Sequence, residues 1–248
     1  MSTAHDRLAG LIRSARSVVA LTGAGISVPS GIPDFRSPGT GLWANVDPME
    51  VAHISVWRRE PERFWGFYGQ RFALLDGKRP NAAHRALADL DIPVITQNID
   101  GLHAAAGSRD VIEIHGSVAS ASCLVCGARH PLAKTRRRLE AADDGVPRCD
   151  CGAPLKPDVT LFGELLDETA MTRASALAAG ADLMLCVGSS LEVYPAAGLP
   201  GLTLQAGGRL AIITRSSTPF DRHAVVRLDG DVEEELQALV AALANGGH

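Results

Sequence analysis

Residues 18–27 read Val18-Val19-Ala20-Leu21-Thr22-Gly23-Ala24-Gly25-Ile26-Ser27. The apolar run Val18 to Leu21 is short and unbroken, as in a buried strand, and it ends on a threonine followed by Gly-Ala-Gly. A strand that delivers the chain into a glycine turn is how an open α/β sheet begins a phosphate-binding loop. Small residues let a diphosphate approach the backbone, and the next helix can present its positive N-terminal end. The third glycine of the G-x-G-x-x-G spacing is missing, so a plain strand-to-helix turn accounts for this loop equally well by itself.

Before the strand, Leu8, Leu11, Ile12 and Ala15 recur at helical spacing. After it, short apolar runs return at residues 92–96, 111–114, 182–188 and 210–214, with helix-like stretches between several of them. Residues 61–76 read as a helix with a proline at its start, residues 81–90 as a helix capped by Asn81, and residues 231–244 as an amphipathic final helix. This alternation predicts an α/β fold, a Rossmann-like doubly wound parallel sheet. Between residues 117 and 158 the rhythm gives way to four cysteines, a charged stretch and Pro/Gly-rich turns. The expected layout is a Rossmann-like domain from residues 1–116 and 159–248, with a helical excursion near 37–80, and a small inserted zinc-binding module over 117–158.

At 248 residues, 46% hydrophobic and 21% charged, the chain has the composition of a soluble globular protein with room for one large domain and a small insertion. No apolar run approaches the roughly 18–20 residues that span a bilayer, and the first is too short for a signal peptide. No membrane association and a cytoplasmic location are expected. The net charge is −4 and the basic residues are scattered apart from Arg136-Arg137-Arg138, so nucleic acid is not an expected partner.

Further groups carry chemistry. Ser30-Gly31-Ile32-Pro33-Asp34-Phe35-Arg36 extends the glycine loop with an arginine suited to phosphate and a ring that can cover a reactive ring. Thr96-Gln97-Asn98-Ile99-Asp100-Gly101-Leu102-His103 follows an apolar run, at the strand end where α/β sheets place ligands; the alternative is an Asx turn capping a helix. His115, also just past an apolar run, is the side-chain type best suited to take a hydroxyl proton near neutral pH. Cys123-x2-Cys126, a 22-residue gap and Cys149-x-Cys151 supply four thiolates for a closed, structural zinc site. Two disulfides are the alternative, which a cytoplasmic chain disfavours. Cys186 lies within an apolar run and reads as a small buried hydrophobe. Gly188-Ser189-Ser190-Leu191 and Thr214 end two further apolar runs and would line the other half of a dinucleotide crevice.

In order, GAGIS at 23–27, SGIPDFR at 30–36, TQNIDGLH at 96–103, HG at 115–116, the four cysteines, KPDVTLFGE at 156–164, GSSLEVYPAA at 188–197 and STP at 217–219 resemble the sirtuins over nearly the whole chain. The wealth of arginine and alanine against three lysines points to a GC-rich, bacterial source. The resemblance implies an NAD-dependent protein-lysine deacylase, with NAD as cosubstrate and one structural zinc. NAD and an acyl-lysine protein or peptide would meet in a cleft between a Rossmann-like and a zinc-holding domain. The acyl oxygen would displace nicotinamide, and His115 as general base would activate a ribose hydroxyl, giving free lysine and O-acyl-ADP-ribose.

By the same resemblance, Gly23, Ala24, Gly25, Ser27, Pro33, Asp34, Phe35, Arg36, Gln97, Asn98, Ile99, Asp100, Gly188, Ser189, Ser190, Thr214 and Val232 would contact NAD. Asn98 would join His115 in catalysis. The segment Val159, Thr160, Phe162 and Gly163 resembles the strand that clamps the substrate peptide. Thr214 stands where many sirtuins have Asn, Ser189 where Thr is common, and Thr160 where the clamp has Val. Tyr68 and Arg71 resemble the Y-x-x-R pair by which one sirtuin branch binds succinyl- or malonyl-lysine, whereas DFRSPGTGLW at 34–43 is closer to ordinary deacetylases. The expectation is a deacetylase that also accepts acidic acyl groups. An ADP-ribosyltransferase and a non-catalytic NAD sensor are the rival readings, separated by whether nicotinamide release depends on an acyl-peptide.

Overall fold

The apolar runs condense into one large sheet, seen in a computed structural model that describes residues 3–34, 41 and 46–245. In chain order the strands are β1 (Val18–Thr22), β2 (Val94–Thr96), β3 (Val111–Glu113), β4 (Gly116–Cys123), β5 (Arg129–Pro131), β6 (Leu155–Val159), β7 (Leu183–Val187), β8 (Arg209–Ile213) and β9 (Ala224–Leu228). The α-helices are α1 (Ala4–Ser14), α2 (Pro48–Val51), α3 (Ile54–Arg59), α4 (Pro61–Leu75), α5 (Ala82–Asp89), α6 (Leu102–Ala105), α7 (Leu132–Glu140), α8 (Glu168–Gly180), α9 (Leu199–Gln205) and α10 (Val232–Asn245).

The large sheet has the order β3-β2-β1-β7-β8-β9, and every neighbouring pair is parallel. Strand order therefore reverses between β1 and β7, the arrangement that opens a crevice at the strands' carboxyl ends. Alternate residues of each strand go to opposite faces. Ala20, Leu185 and Ala211 join the cluster covered by α1, α5 and α10, while Leu21, Met184 and Ile212 join the cluster covered by α8 and α9. Complete burial of a side chain such as Leu21 contributes about 1.5–3 kcal/mol, which is why both faces of a parallel sheet must be covered.

The inserted strands form a separate antiparallel sheet, β5-β4-β6. Its apolar face is shared with the helical excursion: Trp57, Phe64, Trp65 and Phe72 pack with Val118, Leu155 and Val159. The indole N–H groups of Trp57 and Trp65 both donate to the carbonyl of Leu155, at 3.0 Å each. Helices α3 and α4 thus supply the core that the short cysteine-rich strands lack.

Two local expectations are corrected. The glycine loop enters a 3-10 helix over Ala24–Ser30, with Pro29 inside it, rather than an α-helix, so the dipole available there is that of a short, tight turn. The clamp segment is strand only as far as Val159; beyond it the chain turns, with one bridge between Phe162 and His53. Among the described residues no helix is long and apolar enough to cross a membrane.

Candidate active site

At the β1–β7 seam the two glycine loops lie against each other. Gly23 N donates to Val187 O at 3.1 Å and Gly25 N to Gly188 O at 2.8 Å. A Cβ on Gly25 would stand 2.8 Å from Gly188 O, and one on Gly188, at φ +59°, would overlap Ile26 N. The glycines are thus required first by the meeting of the loops, and only then by anything bound above them. Over this seam opens a cavity of about 510 Å³. Backbone without side chains on its floor, with the hydroxyls of Ser27, Ser189, Ser190 and Thr214 around it, fits the diphosphate and riboses of a dinucleotide.

The 97–100 segment is knitted to this floor. Asn98 Nδ2 donates to Gly23 O at 3.1 Å and to Ser27 Oγ at 3.0 Å, and Ser27 Oγ donates to Asp100 Oδ2 at 2.7 Å. Asp100 Oδ1 accepts from Leu102 N at 2.9 Å, so one carboxylate makes the Asx turn that opens α6 and also faces the cavity. Gln97 Nε2 donates to Ser189 Oγ at 2.8 Å, bridging the two halves of the crevice. Behind Ser27 lie His84 and His103, both buried, with ring centroids 4.8 Å apart. Burial pushes them down to about 4 and about 3 respectively, so they are neutral core groups.

His115 sits between β3 and β4, where the large sheet hands the chain to the small one. Its Nδ1 donates to the carbonyl of Gln97 at 2.9 Å, which fixes the tautomer and leaves Nε2 with the lone pair. Burial lowers its pKa, with the Gln97 bond opposing, so the neutral base is favoured at neutral pH. The carbonyl of His115 accepts from Thr160 N at 2.8 Å, tying the end of β6 to this histidine.

The far wall comes from α4 and residues 159–166. Tyr68 and Arg71 are one helical turn apart and both line the cavity, followed on the same face by Phe72 and Leu75. Tyr68 is also core: its ring stacks on Phe64 at 4.5 Å, and burial pushes the phenol up to about 12, keeping it a hydrogen-bond donor. The Arg71 guanidinium lies 5.8 Å from the Phe67 ring centre, and burial lowers its pKa.

Gly23, Ala24, Gly25, Ser27, Pro33, Asp34, Gln97, Asn98, Ile99, Asp100, His115, Val159, Thr160, Phe162, Gly163, Gly188, Ser189, Ser190 and Thr214 all border this one cavity, with Tyr68 and Arg71. Val232 does not: it starts α10 and is buried in the apolar cluster beneath α1 and α5. Phe35 and Arg36 lie outside the described residues. Phe72 and Leu75 line the cavity without having been singled out from sequence; they stand one turn beyond Tyr68 and Arg71.

In the small sheet the four thiol sulphurs of Cys123, Cys126, Cys149 and Cys151 lie within 4.8 Å of one another, a donor set and spread that fit one tetrahedral zinc. Backbone N–H groups of Cys126 and Val125 lower the Cys123 thiol pKa while the neighbouring sulphurs raise that of Cys126, so holding all four as thiolates calls for a cation among them. His130, buried, places Nε2 3.3 Å from Cys149 Sγ. Cys186, in β7, is buried and its thiol is pushed up to about 12, a packing residue.

The sequence profile of the Sir2 family matches residues 23–195. An NAD-dependent protein deacetylase of Caldivirga maquilingensis is 45% identical over 94% of this chain and 91% of its own length. An NAD-dependent protein deacylase of Mycobacterium tuberculosis is 40% identical over 91% of this chain and 97% of its own. A Sir2 variant solved with a deacetylated p53 peptide and 3'-O-acetyl ADP ribose superposes with a TM-score of 0.91, at 39% identity, covering 97% of this chain and 98% of that one. With the seam, the cavity and the cysteine cluster in place, the chain belongs to the Sir2 family.

Proposed function

We propose that this protein is an NAD-dependent protein-lysine deacylase that, consuming one water, moves the acyl group of an acyl-lysine peptide onto ADP-ribose, frees the lysine amine and releases nicotinamide. The reading is carried by the convergence of the paired glycine loops, the 97–100 segment, His115 and residues 159–163 on a single cavity at the switch point of the sheet. The names of its relatives support it, as does a solved neighbour holding a deacetylated peptide beside an acetyl ADP ribose.

Bound NAD supplies the ribose carbon at which nicotinamide is exchanged for the acyl oxygen. Gly23, Ala24, Gly25, Ser189 and Ser190 hold the diphosphate and riboses, with Thr214 at the adenosine end. Ser27 aligns Asp100, whose carboxylate takes the nicotinamide carboxamide, while Gln97 and Asn98 orient the ribose. His115 Nε2 accepts the proton of a ribose hydroxyl, and the Nδ1–H bond to Gln97 steadies the ring as it gains charge. Residues 159–163 hold the peptide beside this base. Zinc on Cys123, Cys126, Cys149 and Cys151 is structural, since four protein sulphurs leave no open position. The thiols require a reducing, cytoplasmic setting. Residues 1–116 and 159–248 make up the NAD-binding domain and 117–158 the zinc module, with α3 and α4 of the helical excursion near 37–80 packed on the zinc module's sheet.

Mixing the protein with NAD and an acetyl-lysine peptide tests this: nicotinamide, free lysine and O-acetyl-ADP-ribose should appear in equal amounts, and none without peptide. Release that ignores the peptide would make it a glycohydrolase, and ADP-ribose left on protein a transferase.

A second, finer reading is favoured by Tyr68 and Arg71, which face the cavity together. A phenol and a guanidinium on one helical face can hold the carboxylate of a succinyl or malonyl group. Arg71→Met should lower kcat/KM for succinyl-peptide more than for acetyl-peptide; an unchanged ratio removes this role.

A further inference from the structure

After Val159 the chain leaves β6 and doubles back, and the fold closes that excursion with an ion pair between a buried lysine and a half-buried glutamate. Lys156 is 8% exposed, and its ammonium spends all three donors inside the protein: on Glu164 Oε2 at 2.9 Å, Val159 O at 2.8 Å and Pro157 O at 3.2 Å. The same Glu164 oxygen accepts from Leu161 N at 2.9 Å. Lysine is rarely buried to this degree, and a buried ion pair adds little net stability because desolvation offsets the attraction. What such a pair does supply is geometry, since each partner has one low-energy place to go.

We propose that Lys156 is a positioning residue for the deacylation, holding residues 159–163 in register with His115 through Glu164. This rests on the reading of residues 159–163 as the peptide clamp. Three observations carry it. The clamp has no regular strand pairing after Val159, so its shape comes from individual bonds. Those bonds run to both sides of the site: Thr160 N to His115 O at 2.8 Å, and Phe162 to the α2–α3 connection, with Phe162 N donating to Ala52 O at 3.1 Å and Ile54 N to Phe162 O at 2.9 Å. Lys156 borders a second hollow behind the clamp and not the active cavity, whereas Glu164 borders both, so the lysine acts through the clamp without meeting substrate.

The test is steady-state kinetics with acetyl-peptide and NAD varied in turn. Lys156→Met should raise KM for peptide about tenfold while kcat and KM for NAD stay within about twofold. The double variant Lys156→Met/Glu164→Gln guards against unfolding by an unpaired, half-buried carboxylate and keeps an oxygen for Leu161 N–H; it should show the same rise. An unchanged peptide KM in the folded double variant overturns the proposal, as does a fall in kcat alone, the mark of a partly unfolded enzyme. Gly163→Ala separates the two levels of the claim. Gly163 stands at φ +82° with the His53 imidazole against it, so any Cβ displaces the clamp directly. If Gly163→Ala raises the peptide KM and the lysine variants do not, the ion-pair role fails and the clamp reading stands. If none of the three raises it, the clamp reading fails too.

Discussion

Around the β1–β7 seam the site is held by backbone bonds and by strands buried on both faces, with glycines where the loops touch. Around β4–β6 it is held also by single polar devices: two indoles on one carbonyl, a buried lysine on one carboxylate, and four thiols placed to share one metal. Apolar burial spreads its free energy over many contacts, so the large sheet should lose function only where a backbone is displaced. The small sheet shares an apolar core with α3 and α4 but adds to it a few concentrated polar bonds, so loss of any one of these should be felt in peptide handling before NAD binding.

The largest expected effect lies where the two regions join. His115→Ala should lower kcat about 10²–10⁴-fold while direct binding of NAD and peptide stays within a few-fold, since the imidazole acts on the proton and not on affinity. A loss under tenfold would place the base elsewhere. In the large sheet, Gly188→Ala should cost about 2–3 kcal/mol in denaturant unfolding and abolish detectable NAD binding by calorimetry, because a Cβ there meets Ile26 N and the φ is positive. An NAD affinity equal to wild type would show that the seam can yield.

Acid should strike the large sheet first. His84 and His103 are held neutral, at about 4 and about 3, against an ordinary 6.5. The unfolded chain therefore binds more protons as pH falls below 6.5, and stability that is complete above that value drops steadily towards about 4. At pH 5.5, one unit below the ordinary value, the loss should be roughly 3 kcal/mol for the pair, visible as a lower Tm, and His84→Gln should flatten the dependence. By the same sign, the lowered pKa of His115 keeps the base competent below 6.5, so the acid limb of kcat/KM should lie under that value. The smallest effect belongs to the zinc module: His130→Ala should weaken zinc retention about tenfold in competition with a chromogenic chelator, by removing an N–H donor from Cys149 Sγ. Equal retention would leave His130 a packing residue.

Much of this was legible in the sequence because the signals are local. A four-residue apolar run before Gly23, an Asn cap at residue 81 and Cys-x2-Cys spacing each depend on neighbours along the chain. The candidate residues stood in the sequence as an ordered set of motifs; of the described ones expected to contact NAD or peptide, Val232 alone lies away from the cavity. What was not legible had weak local signals. β9 carries Arg227 at a sheet edge, and α8 turns only Ala174 and Ala178 fully inward, so neither shows strong apolar periodicity.

By itself, then, the sequence determined an α/β sheet, a thiolate metal site and the identity of the chemical groups, because strand period, helix period and ligand spacing are short-range properties. Tertiary structure alone decided that α3 and α4 serve the small sheet, that Gly25 and Gly188 are glycines because the loops collide, and that Lys156 closes on Glu164 behind residues 159–163. Those outcomes depend on which distant surfaces share one buried core, and that is settled by the free energy of burial over the whole chain.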